Sequence, residues 1–323
     1  MTSPTKPRLG VLLPTRGLLL GERPPTDAEL VLRLAQRVEE AGLDSVWVGD
    51  SLTAKPRLEP LTTLAAVAAR TQRVRLGTSV LLMALRHPVL LGQSLATVDL
   101  ISRGRLLISA GVGGAFNDAQ QREWQAAGVR PSRRAGRLEE MVQIVKGLSS
   151  GHTVSFTGRN FQLDSVSIGP PPVRDGGVPV LLACHWRSPA RTAQFSRAAR
   201  WADGLISISD TPGEYARVVQ GVNEAAIEYG RDPNRLEKVM YLTVNLDTNP
   251  GRAQAEAEKY LLGYYGANIW GDRWGPFGDP KRVEDRIRQY AAAGAETVVV
   301  RLATFQPERQ LEVFLEQVAP ALG

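Results

Sequence analysis

The sequence predicts an α/β protein built as a (β/α)8 TIM barrel, and three observations carry that prediction. Eight short apolar runs alternate with longer amphipathic stretches along the whole 323-residue chain, the rhythm of parallel βα units. No composition shift or Ser/Gly-rich linker interrupts that rhythm, so one domain over 1–323 is expected. Eight consecutive units at this length close most simply into a barrel, with an open doubly wound sheet as the alternative.

Taken in order, the strands are expected at RLGVLLP (8–14), DSVWVGD (44–50), VRLGTSVL (74–81), RLLISAGV (105–112), VPVLLAC (178–184), ADGLISIS (202–209), KVMYLTVNL (238–246) and ETVVVRL (296–302). A helical stretch follows each. Asp27 precedes the first helix and Gly42 follows it; Pro88 and Pro212 stand where first-turn prolines belong. YAAAGAETVVV repeats the grammar of EEAGLDSVWV, with Gly294 in the place of Gly42. Two stretches exceed what a connection needs. Residues 153–177 read as a hairpin followed by a proline-rich loop, and the aromatic- and glycine-rich 262–280 reads as a candidate lid over an active site.

Composition narrows the function classes. A hydrophobic content of 43% supports a large core, and the single cysteine, Cys184, excludes an intramolecular disulfide framework. The first residues lack a signal-peptide apolar segment, and no apolar run is long enough to span a membrane, so a cytoplasmic protein without membrane partners is expected. The net charge of +6 comes from arginines scattered through helices rather than gathered in a patch, which argues against nucleic acid as a partner.

In a barrel the reacting groups sit at the C-terminal ends of strands, and here those ends are poor in catalytic residue types. Of the three histidines only His185 falls at such an end, so no metal site is expected. Cys184 and His185 are neighbours on a strand and point to opposite faces, which makes Cys184 a buried small residue rather than a nucleophile. His87, before Pro88, reads as positional at a helix start. A mouth lined by glycines and small hydroxyls suits a cofactor that supplies the chemistry. Gly111 and Gly113 in LLISAGVGGAFND would let backbone lie against a flat ring, and Asn117 could donate to its polar tail.

Several segments resemble the luciferase-like flavin and deazaflavin oxidoreductases. They include EEAGLDSVWVGDSL, RVRLGTSVLLMALRHPVLLGQSLATVDLISRGRLLISAGVGG, REWQAAGV, RLEEMVQIVKGL, VSFTGRNFQL, SPARTAQFSRAARWADGLI and GDPKRVEDRIRQYAAAGAETVVVRL, together most of the chain. The resemblance implies a (β/α)8 barrel that uses either the deazaflavin F420 for hydride transfer or reduced FMN with oxygen as a monooxygenase. TSVL and GVGGAFND are nearest the F420-dependent glucose-6-phosphate dehydrogenases, which makes F420 the expected cofactor and FMN the alternative. It further implies a cis peptide between Ser79 and Val80 behind the ring, with Asp50, Val112 and Gly113 near the ring. Asn117 is implied at the tail phosphate, and His185 and Ser188 in the phosphate-binding turn HWRSPAR, where a helix N-terminus favours anions.

The departures bear on the reaction. Ser51 stands where the sugar-phosphate dehydrogenases have a catalytic histidine, Gly114 where they have a glutamate, and Lys55 near their tryptophan. Oxidation of a sugar phosphate by their mechanism is therefore not expected, and the substrate is some other small organic molecule. The proton donor must come from His185, Asp50, Tyr264 or Tyr265, with His185 favoured and Ser51 adjacent. ACHWRSP also replaces the usual glycines of the phosphate turn, which keeps a cofactor-less binding protein as the further alternative. A homodimer is implied by the family habit, with the small-residue face of LTTLAAVAAR (61–70) as the contact.

Overall fold

The computed structural model describes residues 6–21, 23–187, 192–267 and 271–323. Its strands are β1 (Arg8–Leu12), β2 (Ser45–Val48), β3 (Arg75–Leu81), β4 (Leu106–Ala110), β5 (Val154–Thr157), β6 (Gln162–Val166), β7 (Val180–Ala183), β8 (Gly204–Ile208), β9 (Glu237–Leu246), β10 (Phe277–Gly278) and β11 (Thr297–Leu302). Its helices are α1 (Glu29–Glu40), α2 (Pro60–Arg70), α3 (Pro88–Ser102), α4 (Asp118–Ala126), α5 (Arg134–Ser149), α6 (Ala193–Trp201), α7 (Pro212–Glu228), α8 (Pro250–Tyr265), α9 (Pro280–Ala292), α10 (Pro307–Gln317) and α11 (Ala319–Leu322).

Eight parallel strands run β1-β2-β3-β4-β7-β8-β9-β11, and the β8–β9 and β11–β1 pairings close them into a barrel. All eight expected strands are present. Each is mostly apolar because both its faces are buried. On β2, Trp47 points into the barrel with Leu107, Leu181 and Val299, while its neighbours Val46 and Val48 face the helices. The helix signals also hold. Asp27 accepts from the Glu29 amide at 3.0 Å, Thr211 and Glu214 form a reciprocal cap on α7, and Gly42 and Gly294 take positive φ after α1 and α9. At the N-terminal end of the barrel Arg75 pairs with Asp44 at 2.8 Å and Glu237 at 2.9 Å, tying the starts of three strands together.

The excursions divide. In 153–177, β5 and β6 form the expected antiparallel hairpin, followed by a loop with a cis Gly169–Pro170 bond. Of the candidate lid 262–280, residues 268–270 lie outside the described residues. Residues up to Tyr265 complete the last turn of α8, and β10 adds a parallel pair to the end of β9, with Phe277 opposite Asn245. Tyr264 is 5% exposed, part of an aromatic cluster with Tyr260 and Phe277, so burial of its ring decided for helix over loop. Among the described residues no helix is long and apolar enough to cross a membrane.

Candidate active site

A cavity of about 540 Å³ opens at the C-terminal end of the barrel. Asp50, Ser51, Ser79, Val80, Gly111, Val112, Gly113 and His185 all line it, so eight of the ten candidate residues converge from four strand ends. Ser188 lies outside the described residues. Asn117 is not among the walls: its Oδ1 caps α4 by accepting from the Gln120 amide at 3.0 Å, and it borders an adjoining cavity instead.

The floor is the end of β3, where the peptide between Ser79 and Val80 is cis. Gly111 serves this floor differently from the expectation. A Cβ there would stand 2.6 Å from Val80 Cγ2, so the missing side chain makes room for Val80 rather than directly for a ring. Gly113 has φ +77°, where glycine is favoured, and a Cβ on it would meet Trp124 Cζ2 at 2.9 Å. Trp124 in turn donates from Nε1 to the Gly114 carbonyl at 2.7 Å, pinning the glycine stretch onto α4.

Asp50 is fully engaged by the protein. Its carboxylate accepts from Arg86 Nη1 at 2.5 Å and Nη2 at 3.1 Å, and from the Leu82 amide at 2.8 Å. It therefore fixes the backbone just beyond the Ser79–Val80 floor. Ser51 is similarly committed. Its hydroxyl donates to Glu123 Oε1 at 2.6 Å and accepts from the Lys55 amide at 2.9 Å. The same Glu123 oxygen accepts from the amides of Thr53 (2.9 Å) and Ala54 (3.1 Å), so a buried carboxylate reached from α4 shapes the whole 51–55 loop. Sequence reasoning missed Glu123, since only the fold brings α4 beneath that loop.

His185 stands with Nδ1 3.8 Å from Asp210 Oδ2, and its backbone is held by Gln194 through a 3.0 Å bond from the His185 amide. Burial would raise the Asp210 carboxyl. The attraction of His185 and donation from Ser207 Oγ (2.7 Å) and the Trp186 amide (3.0 Å) outweigh it and hold the carboxyl below its ordinary value. Cys184 is buried, and burial pushes its thiol up to about 12, as expected of a packing residue. Arg134 of α5, Arg187 and Arg197 of α6 also line the cavity, Arg197 paired with Glu139 at 2.8 Å.

The opposite wall is formed by Lys55, Arg57, Tyr241, Tyr264 and Tyr265, with Arg16 and Arg301 behind it. Of this wall the sequence offered Lys55, Tyr264 and Tyr265, the two tyrosines as candidate proton donors; Arg57 and Arg16 were missed, because only the fold brings them to those rings. Among the described residues no group of three or more His, Cys, Asp or Glu side chains is placed to hold a metal ion.

Comparison with known proteins agrees with this architecture. The family model described as luciferase-like monooxygenase matches residues 8–297. The chain is 29% identical to the F420-dependent glucose-6-phosphate dehydrogenase of Nocardia farcinica, over 90% of this chain and 92% of that protein. It is also 29% identical to the enzyme of the same description from Amycolatopsis mediterranei, over 90% and 94%. Among solved structures, a monooxygenase from Streptomyces bottropensis superposes with a TM-score of 0.81 at 22% identity, covering 98% of this chain and all (100%) of that one. An F420-dependent secondary alcohol dehydrogenase in complex with an F420-acetone adduct superposes at 0.80 and 19%, covering 99% and 100%.

Proposed function

Since the chain belongs to the luciferase-like monooxygenase family, we propose that it is an F420-dependent oxidoreductase acting on a small organic molecule at the C-terminal mouth of its barrel. One observation carries the reading. Among the described residues, three buried polar atoms without hydrogen-bond partners, Ser79 Oγ, Arg134 Nε and His185 Nδ1, belong to residues that line this one cavity. Buried polar groups are ordinarily satisfied, so three in the walls of a single cavity fit a polar planar ligand there. The relatives that align over nine-tenths of the chain are named for F420, which supports F420 over FMN.

When bound, the deazaflavin supplies a two-electron hydride acceptor or donor. Val80 and Ser79 form the surface behind the ring, kept in place by Asp50 through the Leu82 amide. Arg134 and Arg187 would hold the anionic tail, with the start of α6 alongside. His185, with Asp210 3.8 Å from its Nδ1, is the group in the walls proposed to hold or release a proton. Ser51 takes no proton-transfer role, because its hydroxyl is spent on Glu123. We further propose that the protein is cytoplasmic and homodimeric.

The test is a titration of the purified protein with F420 and with FMN in both redox states, followed by turnover assays against alcohols, aldehydes, enones and imines. Micromolar F420 binding and F420-coupled turnover are expected. Micromolar FMN binding without F420 binding would overturn the cofactor, and oxygen consumption with reduced FMN would make the protein a monooxygenase.

A further inference from the structure

The wall of the cavity opposite α6 concentrates positive charge without a counter-ion. Arg16, Lys55, Arg57 and Arg301 surround Tyr264 and Tyr265, and among the described residues none of the four makes an ion pair. The two nearby carboxylates direct their oxygens elsewhere, Asp50 to Arg86 and Glu123 to Ser51 and two backbone amides, and offset the four cations only at a distance. Arg301 is 2% exposed and directs its guanidinium to Thr243 Oγ1 and, at 2.6 Å, to the Tyr265 hydroxyl, with Trp274 stacked at 4.6 Å. Arg16 donates to the carbonyls of Tyr264 and Pro56. These two stand behind the wall and contribute field rather than free donors.

Lys55 and Arg57, both half-buried, form its edge on the cavity. Arg57 spends Nη1 on the Tyr264 hydroxyl at 3.0 Å and Nε on the Lys55 carbonyl at 3.1 Å, which leaves Nη2 without a protein acceptor among the described residues. Lys55 Nζ lies 4.5 Å from the centre of the Tyr265 ring and makes no hydrogen bond or ion pair among the described residues. Burial, and after it the charge of Arg57, lowers the affinity of Lys55 for its proton. Burial would raise the Tyr264 phenol, but Arg57, Arg301 and Arg16 outweigh it and draw the phenol below its ordinary value. The Tyr264 shift reports the positive potential of the three arginines, while that of Lys55 is set first by burial and only then by Arg57. The edge also stands close to the floor. A Cβ on Gly49 would be 2.2 Å from Arg57 Nη1 and 3.6 Å from the Ser79 carbonyl.

We propose that the substrate of this site carries a carboxylate, held by Lys55 and Arg57 with its reacting carbon over the Ser79–Val80 floor. The proposal rests on the oxidoreductase reading for the reaction, and on the wall itself for the charge. A carboxylate fits better than a phosphate because phosphate sites draw on clusters of free backbone amides. In the 51–55 loop the amides of Thr53, Ala54 and Lys55 are already used by Glu123 and Ser51. What remains is an ammonium and one guanidinium edge, suited to a planar monoanion.

The test uses matched acid and amide pairs, cinnamate with cinnamamide and benzoate with benzamide, binding to the purified protein by calorimetry with and without F420. The acids should bind about tenfold or more tighter than their amides. Lys55→Met and Arg57→Met should each bring that ratio towards one, and Lys55→Arg should keep it. Absence of an acid preference in the wild type, whether neither partner binds or both bind alike, overturns the proposal; so does a preference that survives both methionine variants. An acid preference without F420 binding would leave the wall standing and remove the F420 reading, and F420 turnover confined to uncharged substrates would do the reverse.

Discussion

Replacing Glu123 should unfasten the loop that carries Lys55, and the size of the effect follows from its bonds. One buried oxygen accepts Ser51 Oγ at 2.6 Å and the amides of Thr53 and Ala54 at 2.9 and 3.1 Å. A hydrogen bond to a charged group contributes about 1.5–3 kcal/mol, but the effects of neighbours sharing one acceptor do not add, and the adjacent cavity lets water reach the freed donors. Glu123→Ala should therefore cost about 3–4 kcal/mol, and Glu123→Gln, which keeps an acceptor oxygen and loses its charge, about 1–2 kcal/mol. With an unfolding entropy of about 2.1 cal/mol/K per residue, this chain loses about 1.5 °C of melting temperature per kcal/mol, so shifts near 5 °C and 2 °C are expected. Urea and thermal unfolding measure the loss, and hydrogen exchange of the Thr53 and Ala54 amides locates it. If Glu123→Ala stays within about 0.5 kcal/mol of wild type, the ordinary range for a surface change, or if those two amides keep their protection, the carboxylate does not hold the loop.

Three other outcomes follow from the same geometry. Asp210 has a folded pKa below its ordinary 3.8, so its contribution to stability is present above that value and is lost as pH falls through the folded one. Asp210→Asn should flatten the acid limb of a urea-midpoint profile below about pH 4, and profiles that run parallel would refute the assignment. His185→Ala should lower kcat by about 10²-fold or more and remove the limb of the pH profile that it controls; unchanged turnover and profile exclude it as the proton donor. Sedimentation should show a species of twice 35.1 kDa, because α3 exposes Leu90 and Leu100 beside α2, and Leu90→Arg should dissociate it; a lone 35.1 kDa species at micromolar concentration refutes the dimer.

The barrel was legible because its signals are local. The strands are mostly apolar on both faces, and nearly every helix, α6 apart, is marked by a cap, a first-turn proline or a glycine stop, so periodicity and punctuation agreed without knowledge of the partners. The misreading fell at 262–280, where local chemistry is ambiguous. Glycines and aromatics in LGYYGANIWGDRWGPFGDP read as a loop, yet Tyr260 and Tyr264, one helical turn apart, share one aromatic cluster, and that packing extends α8 to Tyr265. Tertiary burial decided the element there.

The site divides along the same line. Strand ends are readable once the strands are, which is why Asp50, Ser79, Val80, Gly111 and His185 were found and do line one cavity. What those residues do there depends on partners far away in the chain. Asp50 looked like an acid near the ring, but Arg86, 36 residues on, turns it into a strut for the floor. Gly111 looked like clearance for a ligand, but the atom it clears is Val80 Cγ2. Asn117 looked like a phosphate donor, and its carbonyl oxygen caps the helix that delivers Glu123. In each case the residue type suited two roles, and the second was created by a contact that no spacing along the chain encodes. The positive wall shows the converse. Arg57 and Arg301 are 244 positions apart and unremarkable singly on a chain rich in arginine, yet both reach the pair Tyr264 and Tyr265 at the end of one helix. Charge that is scattered along a sequence carries no meaning until the fold gathers it, and here, among the described residues, no acid forms an ion pair with the four gathered cations. A cavity whose one side is positive and unpaired selects its ligand by charge before shape, so the acid and amide pairs probe the substrate more directly than any wider panel.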